Sequence, residues 1–180
     1  YLNRRMEDWP CKYLGLELSV HHLTRVDWQP MLDQVKRFIP AWQRGLIQRP
    51  DRLVLVKSVI SARTVHHLLV MDAPQWVFEE IDKWMCAFFW AGKESMNGGQ
   101  CLLAWQTICS PTCFGGLGVK NLKLQGLAMR VRWEWLSRTD LTRPWQGLQL
   151  MVDQEARAVF DSMVLIKVGE GSRVLFWTDR

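Results

Sequence analysis

The sequence predicts a mainly α protein: a helical bundle preceded by a short β element and followed by further helices and a C-terminal β-hairpin. Three observations carry that expectation. Apolar residues recur at i, i+3, i+4 and i+7 through three successive stretches, the spacing of a one-sided helix. Turns bearing proline or glycine separate those stretches. Alternation of the strand kind is confined to "CKYLGLELSV" at 11–20 and "LIKVGEGSRVLFW" at 165–177.

In the first of these, Tyr13, Leu14, Leu16 and Leu18 can serve two faces of a strand, and Gly15 marks a bulge or a close approach by another backbone or a ligand. Asp27 is placed to cap a helix whose apolar stripe is Trp28, Met31, Leu32, Val35, Phe38, Ile39 and Trp42. Pro40 should end or kink it, because proline lacks a backbone donor and collides with the preceding turn. Asp51 opens a second helix, "DRLVLVKSVISARTVHHLLVM", apolar over so much of its circumference that it should be the central, most buried element. Its polar residues fall on two stripes, Lys57, Ser61 and Thr64 on one, Arg52 and Arg63 on the other. Pro74 starts a third helix, with Glu79 and Glu80 near its positive end and Val77, Ile81, Trp84, Met85 and Phe88 as its inner stripe.

From residue 91 to 120 the periodicity lapses, apart from the apolar patch "CLLAWQTIC", and Gly92, Gly98, Gly99, Pro111, Gly115, Gly116 and Gly118 mark a linker or long surface loop. Asn121 can cap the next helix, where Leu124, Leu127, Ala128, Val131 and Trp135 repeat with helical spacing. A weaker helical stretch, "MVDQEARAVFDSM", then leads into the hairpin about Gly169, Glu170 and Gly171.

Composition narrows the function classes. A chain of 180 residues with 48% hydrophobic and 23% charged content can bury a real core, which argues against a disordered tail. The eleven tryptophans read first as core aromatics and second as base-stacking residues. A net charge of +5 from scattered basic residues permits a polyanionic partner without demanding one. No run of 18 apolar residues occurs, so no membrane span is expected, and nothing at the start has the form of a signal peptide. Five cysteines without a regular framework suit free thiols and an intracellular setting. The opening at Tyr1 and the close on "LFWTDR" read as a segment of a longer protein.

Chemistry has few candidates. Cys109 and Cys113 lack the further soft ligands a tetrahedral zinc site needs; Cys101 is near, but the histidines form two distant pairs, His21 with His22 and His66 with His67. Free thiols are therefore expected, with no metal. Gly115, Gly116 and Gly118 lack the lysine and spacing of a phosphate loop and are expected to supply positive-φ turns before Asn121. Glu79 and Glu80 are adjacent but point to different sides of a helix, so no carboxylate dyad for two-metal chemistry is evident and no catalytic residue is assigned. His66 and His67 read as packing residues. The basic residues of the second helix fit solvated positions and phosphate contacts equally well.

Taken in order, "YLGLEL", "RLVLVKSVISA", "FFWAG", "LAWQTICSP", "GGLGVKNLKLQGLAMRVRWEWL" and "VGEGSRVLFWTDR" resemble the region downstream of the catalytic palm in reverse transcriptases of non-LTR (LINE-type) retrotransposons, the plant ones in particular. The resemblance covers nearly the whole chain. It implies a palm end with a primer-grip strand over 1–26, a helical thumb over 27–95, a Gly-rich linker over 96–120, a helical connection region over 121–163 and a truncated hairpin over 164–180. Tyr13, Leu14 and Gly15 match the primer-holding element. Arg49, Arg52, Lys57 and Arg63 are the expected contacts to an RNA/DNA template–primer duplex, with the rest of the polyprotein as the other partner and the cytoplasm and nucleus as the setting. The family's paired aspartates lie upstream and are absent here, so Mg2+ is expected only in the missing palm, and the chain is not expected to polymerise DNA unaided. Cys113 stands where relatives more often carry a charged or polar residue. The competing reading is a non-catalytic helical scaffold or protein-interaction module, or an inert decayed copy.

Overall fold

The computed structural model describes residues 9, 11–19, 21–41, 47–97, 99–140, 142, 153–165 and 167. It is mainly α with a short N-terminal β element, as the periodicity predicts. The chain divides into two compact units, Tyr1–Lys123 and Leu124–Arg180.

The first unit opens with an antiparallel hairpin, β1 (Cys11–Tyr13) and β2 (Leu16–Leu18), in register Cys11 to Leu18 and Tyr13 to Leu16. Leu14 and Gly15 form its two-residue turn with φ of 51° and 85°, the double positive φ that matches the twist of paired strands. The expected glycine bulge is thus the turn itself.

Helix α1 (Arg25–Lys36) buries Trp28, Met31, Leu32 and Val35, the anticipated stripe. Its cap is Thr24, not Asp27. Asp27 stands at the third helical position, where its Oδ2 accepts from both the Thr24 amide and hydroxyl at 2.7 Å. That reciprocal arrangement satisfies the helix start from inside rather than in front. The helix breaks at Arg37 and resumes as α2 (Phe38–Ala41), consistent with Pro40 withholding an amide from the preceding turn. Trp42 lies outside the described residues.

The second predicted helix is one run, Arg49–Val70, but not one kind of helix. It comprises α3 (Arg49–Leu55), a π turn (Val56–Ile60) and α4 (Ser61–Val70). Gln48 precedes it and Asp51 sits in its first turn rather than at its cap. By length and composition this run would also suit a membrane span; here Val56, Ile60, Thr64 and Leu68 face the core, each no more than 1% exposed. The hydroxyls of Ser61 and Thr64 are buried without cost in hydrogen bonding, donating to the carbonyls of Val56 and Ser61.

Helix α5 (Gln75–Ala91) is capped by Pro74 rather than starting on it, and ends at Gly92 in the left-handed region, φ 66°. Val77, Ile81, Met85 and Phe88 are fully buried and Trp84 half-buried. At roughly 1.5–3 kcal/mol for each large apolar side chain removed from water, this stripe and that of α1 are substantial contributors to the unit's core.

The stretch 96–120, expected to be a linker, belongs to the first unit. It contains α6 (Trp105–Cys109) and a 3-10 turn (Thr112–Phe114), and it inserts Ile108 and Val119 into the same core as Phe88. The apolar patch "CLLAWQTIC" is why: Ile108 is 1% exposed.

Helix α7 (Leu122–Thr139) begins after Asn121, and its first residue, Leu122, joins the first unit's core. Its predicted stripe is not the buried one, for Leu124, Ala128 and Trp135 are exposed whereas Gly126 and Arg130 are buried. In the second unit Arg130 binds the carboxylate of Asp153, which also caps α8 (Gln154–Met163) by accepting from the Ala156 amide at 2.6 Å. Burial works against the Asp153 charge, but the Ala156 amide and the Arg130 guanidinium prevail and hold its carboxyl below the ordinary range. Arg138 lies 4.7 Å from the ring centre of the buried Phe160. A helix whose inward line carries an arginine must recruit a carboxylate from its neighbour, and that defeats a reading by apolar periodicity. The predicted C-terminal hairpin about Gly169 lies outside the described residues.

Among the described residues, Trp76, Trp84, Trp90 and Trp105 mark the edge of the first unit's core rather than its centre. Trp28 is buried, while Trp76, Trp84 and Trp90 are half-buried and each is covered by a cation, Arg25 at 5.2 Å, Lys36 at 5.9 Å and Arg49 at 5.5 Å from the ring centre.

Candidate nucleic-acid interface

The hairpin presents Tyr13 and Leu14 outward, 61% and 75% exposed. Leu14 holds a left-handed backbone that costs a residue with a Cβ about 1–2 kcal/mol, a cost that the pairing of Tyr13 with Leu16 across a two-residue turn imposes. The Nε2–H of His66 donates to the Leu14 carbonyl oxygen at 3.0 Å. His67, next along α4, is buried beneath the turn, beside Gly15 and beside Trp28 and Met31 of α1, with no hydrogen-bond partner for its Nδ1 among the described residues. Of the two adjacent histidines, His66 ties the turn to α4 by a hydrogen bond and His67 packs against it.

Burial is the main reason the His67 imidazole is pushed below its ordinary value of 6.5; the charges of His66 and Lys12 push the same way, and the nearby Gly15 backbone opposes them. The folded state therefore holds a proton here less readily than the unfolded chain. Stability from this group is fully present above pH 6.5 and is lost as pH falls from there through the lowered folded value. Thermal melting at pH 7.5 and at pH 5 should show a lower midpoint in acid, and His67→Gln should shrink that difference.

The expected basic residues are not gathered into one patch. Arg63 is exposed on α4, three residues before His66, with its guanidinium 4.2 Å from the ring centre of Phe38. Arg49 is exposed at the other end of the run and stacks on Trp90. At 1.5 Å per residue, the fourteen steps between them span about 21 Å. Lys57 is half-buried, its ammonium 3.6 Å from where a Gly118 side chain would stand. Arg52, expected to share a stripe with Arg63, is drawn into the fold instead. Its Nε–H donates to the Ile47 carbonyl at 3.0 Å, its Nη1 to the Trp90 carbonyl at 3.5 Å, and its guanidinium covers Gly92. The π turn between the two arginines explains the difference: its wider hydrogen-bonding pattern accommodates one extra residue, which rotates everything beyond it by roughly 100°.

The glycine cluster is a tight reversal. Gly115 and Gly118 have φ of 82° and 64°, the positive-φ turns expected of them, whereas Gly116, of which the same was expected, is not in that region; the amides of Leu117 and Gly118 each donate at 3.0 Å, to the Ile108 and Ser110 carbonyls. Among the described residues no group of three or more His, Cys, Asp or Glu side chains is arranged to hold a metal ion.

No protein-family model matches the chain, and no solved structure matches it. Among curated proteins it is similar to one from Arabidopsis thaliana described as a "Putative ribonuclease H protein", with 26% identity over 176 residues. The match takes in 83% of this chain and 28% of that protein, so the chain spans less than a third of its relative's length.

Proposed function

We propose that this chain is the primer-gripping, thumb and connection segment of a non-LTR retrotransposon reverse transcriptase, and that it clamps a template–primer duplex for a catalytic palm lying elsewhere in the polyprotein. The ordered motifs motivate the reading, and similarity to a plant protein named for a ribonuclease agrees with it at the level of nucleic-acid chemistry. The observation that carries it is the hairpin tip: exposed Tyr13 and Leu14, the latter in a strained backbone, pinned by the same helix that displays Arg63. The two-residue turn itself imposes that backbone, and it leaves two large side chains in solvent where a contact surface could use them. In this reading Arg49, Lys57 and Arg63 meet phosphates without regard to sequence, and Arg52 only holds the scaffold.

The test is duplex binding by the chain as a function of salt. Replacing Arg49, Lys57 and Arg63 together by glutamine keeps long polar side chains and removes three charges. The slope of log affinity against log salt should fall by about 2.7, since each phosphate that a cation neutralises on B-form DNA contributes about 0.9 to it. An unchanged slope in a folded triple variant would overturn the clamp and leave the helical scaffold as the better reading.

A further inference from the structure

Beside α5 runs a groove of about 630 Å3 whose lining includes Asp82, Cys86, Glu94, Cys101 and Trp105. Two cysteines meet there across fifteen residues. Cys86, half-buried on the last turns of α5, places its sulfur 3.3 Å from that of Cys101, which is exposed and outside any helix or strand. Of the cysteines that follow, Cys109 is half-buried at the end of α6 and Cys113 is exposed.

We infer that Cys86 and Cys101 are a redox modification site: a thiol pair that a low-molecular-weight disulfide such as glutathione disulfide converts into an intramolecular disulfide, fastening the segment after Gly92 to α5. The geometry favours it. A bond of about 2.0 Å needs the sulfurs to close by only about 1.3 Å, and Cys101 has an irregular backbone free to supply the movement. The neighbouring Glu94 already leans on α1, 3.8 Å from Lys36, so the cross-link would fix a groove wall that a weak surface ion pair now holds.

Exposure fixes the order of events. Cys101, as thiolate, attacks glutathione disulfide and releases one glutathione, leaving a mixed disulfide. Cys86, as thiolate, then attacks the Cys101 sulfur and releases the second. Two protein thiols are oxidised, one glutathione disulfide is reduced to two thiols, and the protons lost by the cysteines are taken up by the departing glutathione thiolates. Burial, helped by the contact with Cys101 and the charge of Asp82, pushes the Cys86 thiol up to about 12, and burial with Asp82 raises Cys109 to about 11. Neither is a ready first nucleophile, and Cys86 reacts because its target is delivered to it.

The test treats the reduced chain with glutathione disulfide and maps peptides by mass spectrometry. The expected product links Cys86 to Cys101 with the loss of two hydrogens and no retained glutathione. Cys86→Ser should trap glutathione on Cys101, and Cys101→Ser should give no cross-link and at least tenfold slower modification of Cys86. Cys86→Ala provides the same trap should serine disturb the half-buried site, with helix content by circular dichroism as the check on folding. A stable glutathione adduct on Cys101 of the unmodified chain, or preferential cross-links to Cys109 or Cys113, would overturn the assignment.

Discussion

Gly116→Ala is expected to cost the first unit most of its stability. A Cβ at this position would lie 2.0 Å from the Ser110 carbonyl oxygen, 2.5 Å from its carbon and 2.7 Å from its Cβ. Two of those atoms are backbone, so no rotamer change relieves the clash, and the reversal over α6 must open. Opening forfeits the bonds from the amides of Gly116, Leu117 and Gly118 to Pro111, Ile108 and Ser110, at about 1 kcal/mol each. It also pulls at Val119 and Leu122, which the reversal feeds into the core at 1% exposure. Partial loss of that burial brings the total to roughly 5 kcal/mol, comparable with the whole stability of a small domain. Gly115→Ala is the control: its added Cβ meets open space, and only the positive φ penalises it, by about 1–2 kcal/mol. Urea denaturation should separate the two, with the midpoint of Gly116→Ala shifted severalfold further; equal shifts would refute the tight reversal.

What the sequence makes legible here is local and periodic. The stripes of α1 and α5 can be read because each buried residue is predicted by others within two turns of it. The histidines could not be read that way. His66 finds its acceptor 52 residues upstream, a pairing that only the folded chain creates. The π turn is equally silent, since "VKSVI" contains nothing that distinguishes it from an α-helical segment, yet it decides which of two arginines faces water. The glycines at 115 and 118 announce their turns by type, whereas Gly116 is needed for space rather than for φ. On α7 the inward line includes a glycine and an arginine, so counting apolar residues selects the wrong face. The candidate interface is therefore half legible: the residues of the tip stand out in "YLG", but what holds them, and which charges remain available, is a product of tertiary packing.

Arg52→Ala is the second large effect, and it governs how any binding experiment on this helix must be designed. The guanidinium joins two chain segments, donating to the carbonyls of Ile47 and Trp90 while covering Gly92 at the end of α5. Removing it leaves two carbonyls short of a charged donor, each such bond being worth roughly 1.5–3 kcal/mol, though the longer 3.5 Å bond contributes the lesser share. The expected loss is about 2–4 kcal/mol by chemical denaturation. Arg52→Lys should recover little of it, because an ammonium cannot reproduce the planar fork that reaches two acceptors at once. Arg63→Ala, by contrast, removes an exposed cation from the Phe38 ring and should cost no more than about 1 kcal/mol. If the chain grips a duplex, Arg63→Ala should weaken binding while leaving melting nearly unchanged, and Arg52→Ala should lower both because the scaffold loosens. Equal stability losses at the two positions would mean that Arg52 is not the clasp between the start of the central helix and the end of α5.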